Sequence, residues 1–180
     1  RRFATVGLGR PGPPAALVGR EDLVPGGDAA QQSSTRRDAG RALDLACGRG
    51  TVAVWLAARG LATTAVDVSP EALRRTGELA AEHGVPVTTV CADLDEGLPP
   101  VGAVPVDIVV CQRFRDPALY PVLPRLLVPG GLLVVTVLST VGDAGGSYRA
   151  GPGELRAAFG PLEVLVDEEG RGEAHLVARV

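Results

Sequence analysis

The feature that most constrains the fold is a short apolar strand followed directly by a glycine-rich turn and a helix. Residues 42–46 are predicted to form the strand, Gly48 and Gly50 lie in the turn, and residues 51–59 form the helix. The spacing G-x-G-x-x-A, completed by Ala53, lets a ligand approach the backbone at the N-terminus of a helix. A dinucleotide fits this pattern as well as other ligands do, so it predicts a binding site without naming what binds.

Strand-like and helix-like segments alternate through the rest of the chain, which is typical of a parallel sheet with crossover helices. Ser69 and Pro70 are predicted to be the N-cap and first residue of the clearest helix. The fold class is therefore α/β, a Rossmann-like doubly wound sheet that is mostly parallel and ends in an antiparallel hairpin. Further strands are expected at 62–68, 87–92, 106–111, 132–138, 162–166 and 174–180, and further helices at 70–83, 116–128 and 151–159.

Proline and glycine interrupt several connections of this predicted sheet. Residues 94–105 contain three prolines and two glycines, so this crossover is expected to be mostly loop. Three prolines also weaken the predicted helix at 116–128. Pro129, Gly130 and Gly131 predict a turn before the fifth strand, and residues 167–173 predict the bend of the final hairpin.

Composition excludes several classes of protein. Hydrophobic residues make up 46% and charged residues 22% of the 180 residues, which is typical of a globular chain. Every apolar run ends well before the about 18 residues of a membrane helix, and a net charge of −3 offers no basic surface to nucleic acid. Three widely spaced cysteines match neither a disulfide framework nor a metal site. We therefore expect a cytoplasmic protein with no metal, no membrane partner and no nucleic-acid partner.

The length allows one domain of ordinary size. Residues 1–40 are rich in proline, glycine and polar residues without a helical or strand period, and we interpret them as an irregular arm and loop. Residues 41–180 are predicted to form the single Rossmann-like domain.

Three aspartates stand at the ends of the first three predicted strands. Asp44 lies four residues before Gly48, Asp67 lies 19 residues after it, and Asp93 follows the third strand. Because the carboxyl ends of parallel strands line one crevice, these side chains should converge there with the residues that follow Cys111. A single aspartate in such a place is most often a cap or turn former, but three in register favour a ligand site. A carboxylate at Asp44 favours a cationic ligand over a phosphate.

The chain resembles the class I S-adenosylmethionine-dependent methyltransferases, and within them most the small-molecule branch of the tellurite-resistance type. The resemblance covers about residues 41–180 and implies the strand order 3-2-1-4-5-7-6. The segments that carry it are LDLACGRGT (43–51), AVDVSPEAL (65–73), CADL (91–94), VDIVVCQRF (106–114) and LLVPGGLLVVT (126–136).

This resemblance implies S-adenosylmethionine as cofactor, a small molecule as methyl acceptor, and a role for each part of the crevice. The turn would hold the methionine part, the end of the second strand the ribose hydroxyls, and the end of the third the adenine. Carried over by position, the methionine-side residues are Asp44, Ala46, Cys47, Gly48, Gly50, Cys111 and Gln112; the ribose and adenine residues are Asp67, Val68, Asp93 and Leu94.

The catalytic side of the site is less defined. No Asn-Pro-Pro-Tyr-type segment follows the fourth strand, which disfavours transfer to an amide or adenine nitrogen. We interpret Cys111, His83 and His175 as structural residues, and we expect His175 to lie on an edge strand. Methyl transfer to an anion needs no base. The residues expected to rim the acceptor opening and select a polar or anionic substrate are Arg113, Arg115, Tyr148 and Arg149.

Two other functions remain compatible with the sequence. One is a nicotinamide-dependent oxidoreductase or nucleotide sensor that uses the G-x-G-x-x-A turn, against which Asp44, Asp93 and the terminal hairpin argue. The other is a non-catalytic module that keeps the cofactor pocket.

Overall fold

A seven-stranded sheet organises the protein. The computed structural model describes residues 9–25, 40–101, 105–143 and 145–180. The strands are β1 (Arg41–Leu45), β2 (Ala62–Asp67), β3 (Val87–Cys91), β4 (Val106–Gln112), β5 (Leu127–Leu138), β6 (Glu163–Gly170) and β7 (Glu173–Arg179). They lie in the order β3-β2-β1-β4-β5-β7-β6, which confirms the predicted order.

The first five strands run parallel, and the last two reverse direction. β1 lies between β2 and β4, with Asp44 opposite Ala65 and Val110. β7 is antiparallel to both of its neighbours, β5 and β6. The prediction that His175 lies on an edge strand is therefore wrong, because β7 is inside the sheet and the edge strand is β6. The carboxyl ends of β1 to β5 meet at one edge.

The described part of the chain has three α-helices: α1 (Thr51–Ala58), α2 (Pro70–Glu82) and α3 (Glu154–Phe159). The Ser69 hydroxyl accepts a hydrogen bond from the Ala72 N–H at 3.2 Å, which confirms the predicted N-cap of α2. α1 covers one face of the sheet, where Leu56 packs with Ile108 and Val110. α3 covers the opposite face with Phe159 in the core.

The predicted helix at 116–128 is wrong. This segment forms turns and one 3₁₀ helix, Leu123–Leu126, because Pro117, Pro121 and Pro124 lack the N–H groups that an α-helix needs. β5 begins at Leu127 rather than at residue 132, with an irregular register across the predicted turn. Gly130 has a φ of +79°, as the second central residue of that turn requires.

The final hairpin is tighter than predicted. β6 extends to Gly170 and β7 begins at Glu173, so the bend consists of Arg171 and Gly172 alone. Both have positive φ, +54° and +82°, which matches the type I′ turns that two-residue hairpins favour. Asp167, Glu168 and Glu169, which the sequence placed in the bend, thus belong to the exposed edge strand β6.

Part of the predicted arm packs on the sheet. Two 3₁₀ helices, Ala15–Leu17 and Glu21–Leu23, lie against the face that α1 covers, with Leu17 fully buried. Residues 1–8 and 26–39 of the arm lie outside the described residues. The crossover after β3 has one 3₁₀ helix, Leu94–Glu96, and then loop up to residue 101, as predicted for its described part.

Candidate functional site

Three adjoining cavities lie at the carboxyl ends of the parallel strands. The first, here the turn cavity, has about 470 Å³ and is bounded by the end of β1, the glycine turn and the end of β4. The second, the β3 cavity, has about 180 Å³ at the ends of β2 and β3. The third, the outer cavity, has about 210 Å³ beside the loop that follows β4. Phe114 lines all three, so they form one crevice around its ring.

Asp44 is a buried carboxylate in the turn cavity. Its side chain lies on β1 with the residue 2% exposed, and its Oδ2 has no hydrogen-bond partner among the described residues. Burial raises the pKa of Asp44 to about 7, and the charge of Asp67 adds to this, while the Ala53 backbone N–H lowers it. Buried polar atoms in native proteins are nearly always paired. An unpaired carboxylate oxygen at a cavity fits a ligand that brings its own cation.

Asp67 joins the end of β2 to the glycine turn. Its Oδ2 accepts a hydrogen bond from the Gly48 N–H at 2.8 Å, and its Oδ1 accepts one from the Ser69 N–H at 2.9 Å. Each carboxylate oxygen still has a second acceptor site, so hydroxyl groups of a ligand in the β3 cavity can also bind.

The two glycines of the turn differ in what constrains them. Gly48 has a φ of +54°, and a Cβ built there would meet no heavy atom of the described residues within 4 Å, because it projects into open space. Gly50 has a φ of +72° and is buried, and a Cβ there would overlap the side chain of Thr76 on α2. The steric need for glycine at position 50 therefore comes from contact with α2 and not from a ligand.

The remaining ribose-side and adenine-side candidates line the β3 cavity. Val68 is 60% exposed, Leu94 is buried beneath, and Asp93 is at the surface. Asp93 also caps the 3₁₀ helix after β3, because its Oδ1 accepts a hydrogen bond from the Asp95 N–H at 3.0 Å. These residues meet in one cavity, as their positions at strand ends predict.

The structure separates two candidates that the sequence placed together after β4. Gln112 lines the turn cavity, whereas Cys111 is 3% exposed and packs in the core on the opposite face. Successive residues of a strand point to opposite faces, and Cys111 is not among the lining residues of the three cavities. Burial raises the pKa of Cys111 and of Cys47 to about 12, and both thiols stay protonated. Ala46 and Cys47 line the turn cavity, with Ala46 at a φ of +53°.

Both arginines of the β4 loop are held by glutamates. The guanidinium of Arg113 lies 2.7 Å from Glu173 on β7, although the side chain is 71% exposed. Arg115 makes two parallel hydrogen bonds of 2.8 Å to the carboxylate of Glu154 on α3, which also accepts a hydrogen bond from the Tyr120 hydroxyl. These pairs neutralise the charges that were predicted to select an anionic substrate.

Tyr148 and Arg149 have different roles. Tyr148 lines the outer cavity and is 80% exposed. Arg149 stabilises the loop after β5, since it donates hydrogen bonds to the carbonyl oxygens of Ser139 and Gly172 and pairs with Asp143 at 2.6 Å. The structure thus gives Arg149 a structural role away from the cavity lining.

Sequence reasoning missed several residues that line the crevice, and the aromatic and acidic ones among them are Phe114, Asp95 and Asp116. Phe114 had a signal, because it is one of only three phenylalanines and lies between the candidates Arg113 and Arg115. Asp95 and Asp116 had none, since exposed loop aspartates are common.

Comparisons with known proteins agree with this geometry. A family described as "Methyltransferase domain" matches residues 42–131. A ubiquinone biosynthesis O-methyltransferase of Caulobacter sp. (strain K31) is 34% identical over 104 residues, 55% of this chain and 41% of that protein. TehB from Haemophilus influenzae has a TM-score of 0.68 at 19% identity, over 84% of this chain and 60% of its own. The [4+2]-cyclase SpnF has a TM-score of 0.64 at 19% identity, over 83% and 77%.

These matches limit what can be transferred. The chain spans about two fifths of the length of the curated relatives it matches. A cyclase among the structural neighbours illustrates that likeness at this identity shows the fold and not the reaction. No match supports the nicotinamide-dependent alternative. Within the described ranges, no helix has the length and apolarity needed to cross a membrane.

Proposed function

This chain belongs to the methyltransferase domain family, and we propose from this premise that it transfers a methyl group from S-adenosylmethionine to an oxygen atom of a small molecule. The observation that carries the proposal is the buried carboxylate of Asp44, whose Oδ2 has no partner among the described residues. S-adenosylmethionine carries an ammonium and a sulfonium and no phosphate. The name of the curated relatives, O-methyltransferase, supports oxygen as the acceptor atom.

The turn cavity and the β3 cavity fit different parts of this cofactor. The ammonium of the methionine part would bind Asp44 in the turn cavity, the ribose hydroxyls would bind Asp67, and the adenine would lie near Val68 and Asp93 in the β3 cavity. A pyrophosphate at the same turn would meet the buried carboxylate of Asp44, which supports S-adenosylmethionine over a nicotinamide dinucleotide. Arg49 lines the turn cavity and is available to the methionine carboxylate.

The cofactor supplies an activated methyl group, and the protein supplies orientation and a site with little water. Phe114 is half-buried at the junction of the three cavities, where it forms an apolar wall that the cofactor cavities and the outer cavity share. The outer cavity shares Arg113 and Phe114 with the turn cavity, so an acceptor bound there lies beside the cofactor. We place the small-molecule acceptor in it.

The proposal includes the organisation of the chain. Residues 41–180 form the methyltransferase domain and residues 1–40 an arm, of which the described part crosses one face of the sheet. The Ala15 N–H lies 3.4 Å from Oε1 of Gln112, which lines the turn cavity, so the arm reaches the rim of the site. We propose a cytoplasmic location.

Titration calorimetry with S-adenosylmethionine, S-adenosylhomocysteine and NADH tests the cofactor. We expect binding of the first two and none of NADH. An assay for S-adenosylhomocysteine with a panel of phenols, alcohols, carboxylates and thiols then tests methyl transfer. Tight NADH binding would contradict the proposal, and cofactor binding without turnover of any acceptor would favour the non-catalytic alternative.

A further inference from the structure

The outer cavity contains few groups that can accept a proton. Its charged lining consists of two arginines and two aspartates, and its remaining lining includes Phe114, Leu138 and Tyr148. Arginine stays protonated in proteins, and a tyrosine at neutral pH is already protonated. Cys47 and Cys111 do not line this cavity. Of the lining residues that the structure describes, this leaves the carboxylates of Asp95 and Asp116 as proton acceptors.

The two arginines do not neutralise these aspartates through ion pairs. Arg113 is paired with Glu173, and Arg115 donates hydrogen bonds from Nε and from Nη2 to the carboxylate of Glu154. Among the described residues, neither Asp95 nor Asp116 has an arginine or histidine nitrogen within 4 Å of its carboxylate. Both carboxylates therefore keep the capacity to accept a proton or a hydrogen bond from a bound molecule.

Asp116 is the better oriented of the two. Its Oδ1 accepts a hydrogen bond from the Ala118 N–H at 2.9 Å, which fixes the carboxylate over the turn that follows the β4 loop, and the residue is half-buried. Its Oδ2 makes no hydrogen bond to the described residues. Asp95 is exposed, and none of the described residues donates a hydrogen bond to its side chain.

We propose that Asp116 is the general base for the acceptor hydroxyl, an inference that rests on the function proposed above. A lone pair of the acceptor oxygen attacks the methyl carbon, and the carbon–sulfur bond breaks with its electron pair left on sulfur. S-adenosylmethionine thereby becomes S-adenosylhomocysteine. The hydroxyl proton passes to the Asp116 carboxylate, which later releases it to water. The preferred substrates are then neutral hydroxyl compounds, and not the anions that free arginines would select.

The experiment compares Asp116→Asn, Asp116→Glu and wild type on phenols of graded acidity and on thiols. The asparagine oxygen can still accept the hydrogen bond from Ala118, so this variant keeps the turn and loses only the base. We expect a fall in kcat on the order of 100-fold for weakly acidic phenols. With acceptors that are already ionised at the assay pH, kcat of Asp116→Asn should fall little. Asp116→Glu should recover part of the wild-type activity. Affinity for S-adenosylmethionine should not change.

Asp22→Asn removes one exposed carboxylate that lines none of the three cavities and serves as the control for net charge. Wild-type rates in Asp116→Asn would overturn the assignment, as would an equal loss for ionised and neutral acceptors. A fall in kcat for Asp95→Asn, with wild-type kcat in Asp116→Asn, would assign the role of general base to Asp95 instead. These outcomes leave methyl transfer by the wild-type protein standing, whereas a wild-type protein inactive on every acceptor would remove the proposed function and this inference together.

Discussion

The backbone N–H of Gly48 donates a hydrogen bond of 2.8 Å to Oδ2 of Asp67, and this bond ties the turn after β1 to the end of β2. One carboxylate therefore fixes the shape of the turn and at the same time lies in the cavity where we place the ribose. Structural and binding roles coincide at Asp67, so a substitution there changes both stability and affinity.

Asp67→Ala should weaken binding of S-adenosylmethionine by on the order of tenfold or more, since hydrogen bonds to a charged group contribute about 1.5 to 3 kcal/mol each. The free energy of unfolding should also fall, because the N–H groups of Gly48 and Ser69 lose their acceptor. Calorimetry and urea denaturation measure the two effects separately. Unchanged affinity in a folded variant would exclude Asp67 from the cofactor site.

Asp44→Asn should stabilise the ligand-free protein at neutral and alkaline pH. The pKa of Asp44 is about 7 in the folded protein, against an ordinary value of 3.8. Between these pH values the folded state binds a proton at Asp44 that the unfolded state does not bind. The stability of the wild type therefore falls as pH rises from about 4 to 7. The advantage of the variant should be absent below pH 4, grow up to about pH 7, and level off at no more than on the order of 4 kcal/mol. Denaturation at several pH values tests this, and a difference independent of pH would refute it.

Binding of S-adenosylmethionine should release a proton near pH 6.5. The ammonium of the cofactor favours the ionised form of Asp44, so binding lowers a pKa that burial had raised to about 7. Affinity should therefore increase as pH rises to about 7, and Asp44→Asn should bind weakly with little of this dependence. Calorimetry in buffers of different ionisation enthalpy measures the proton directly. Equal heats in all buffers would show that Asp44 does not change its protonation on binding.

Gly50→Ala should destabilise the protein more than Gly84→Ala does. Both glycines have a left-handed φ, +72° and +65°, so both variants suffer the same kind of backbone strain of about 1–2 kcal/mol. Only at position 50 does the new Cβ overlap Thr76; at position 84 no described atom lies within 4 Å of it. Thermal or chemical denaturation of the two variants measures the free energy that the overlap with Thr76 costs. Equal losses of stability would mean that α2 shifts to make room for the Cβ at no cost in free energy.

Gly48→Ala should lower cofactor affinity more than it lowers stability. Its Cβ would meet no described atom and would project into open space at the turn cavity, so strain from its φ of +54° is the only cost expected in the ligand-free protein. Its loss of stability should match that of Gly84→Ala, with φ similar at the two sites. Binding of S-adenosylmethionine by Gly48→Ala at wild-type affinity would show that the cofactor does not approach this turn.

Local patterns determined much of this protein from sequence alone. The strand, turn and helix around Gly48 and the N-cap at Ser69 depend on hydrogen bonds and apolar periods within a few residues. The order of the strands was predicted from the resemblance to class I methyltransferases and not from local patterns. The strand pattern also predicted that the aspartates at the ends of β1, β2 and β3 lie at one edge of the sheet, because parallel strands bring their carboxyl ends together.

Only the tertiary structure decided which candidate side chains can bind a ligand and which are already paired or buried. Arg115 meets Glu154 across 39 residues and Arg113 meets Glu173 across 60, and no local pattern specifies such partners. Burial of Asp44 and the orientation of Cys111 away from the crevice likewise depend on what packs against each face of the sheet. The sequence determined where the side chains stand along the chain, whereas charge, protonation and exposure depend on neighbours that only folding brings together.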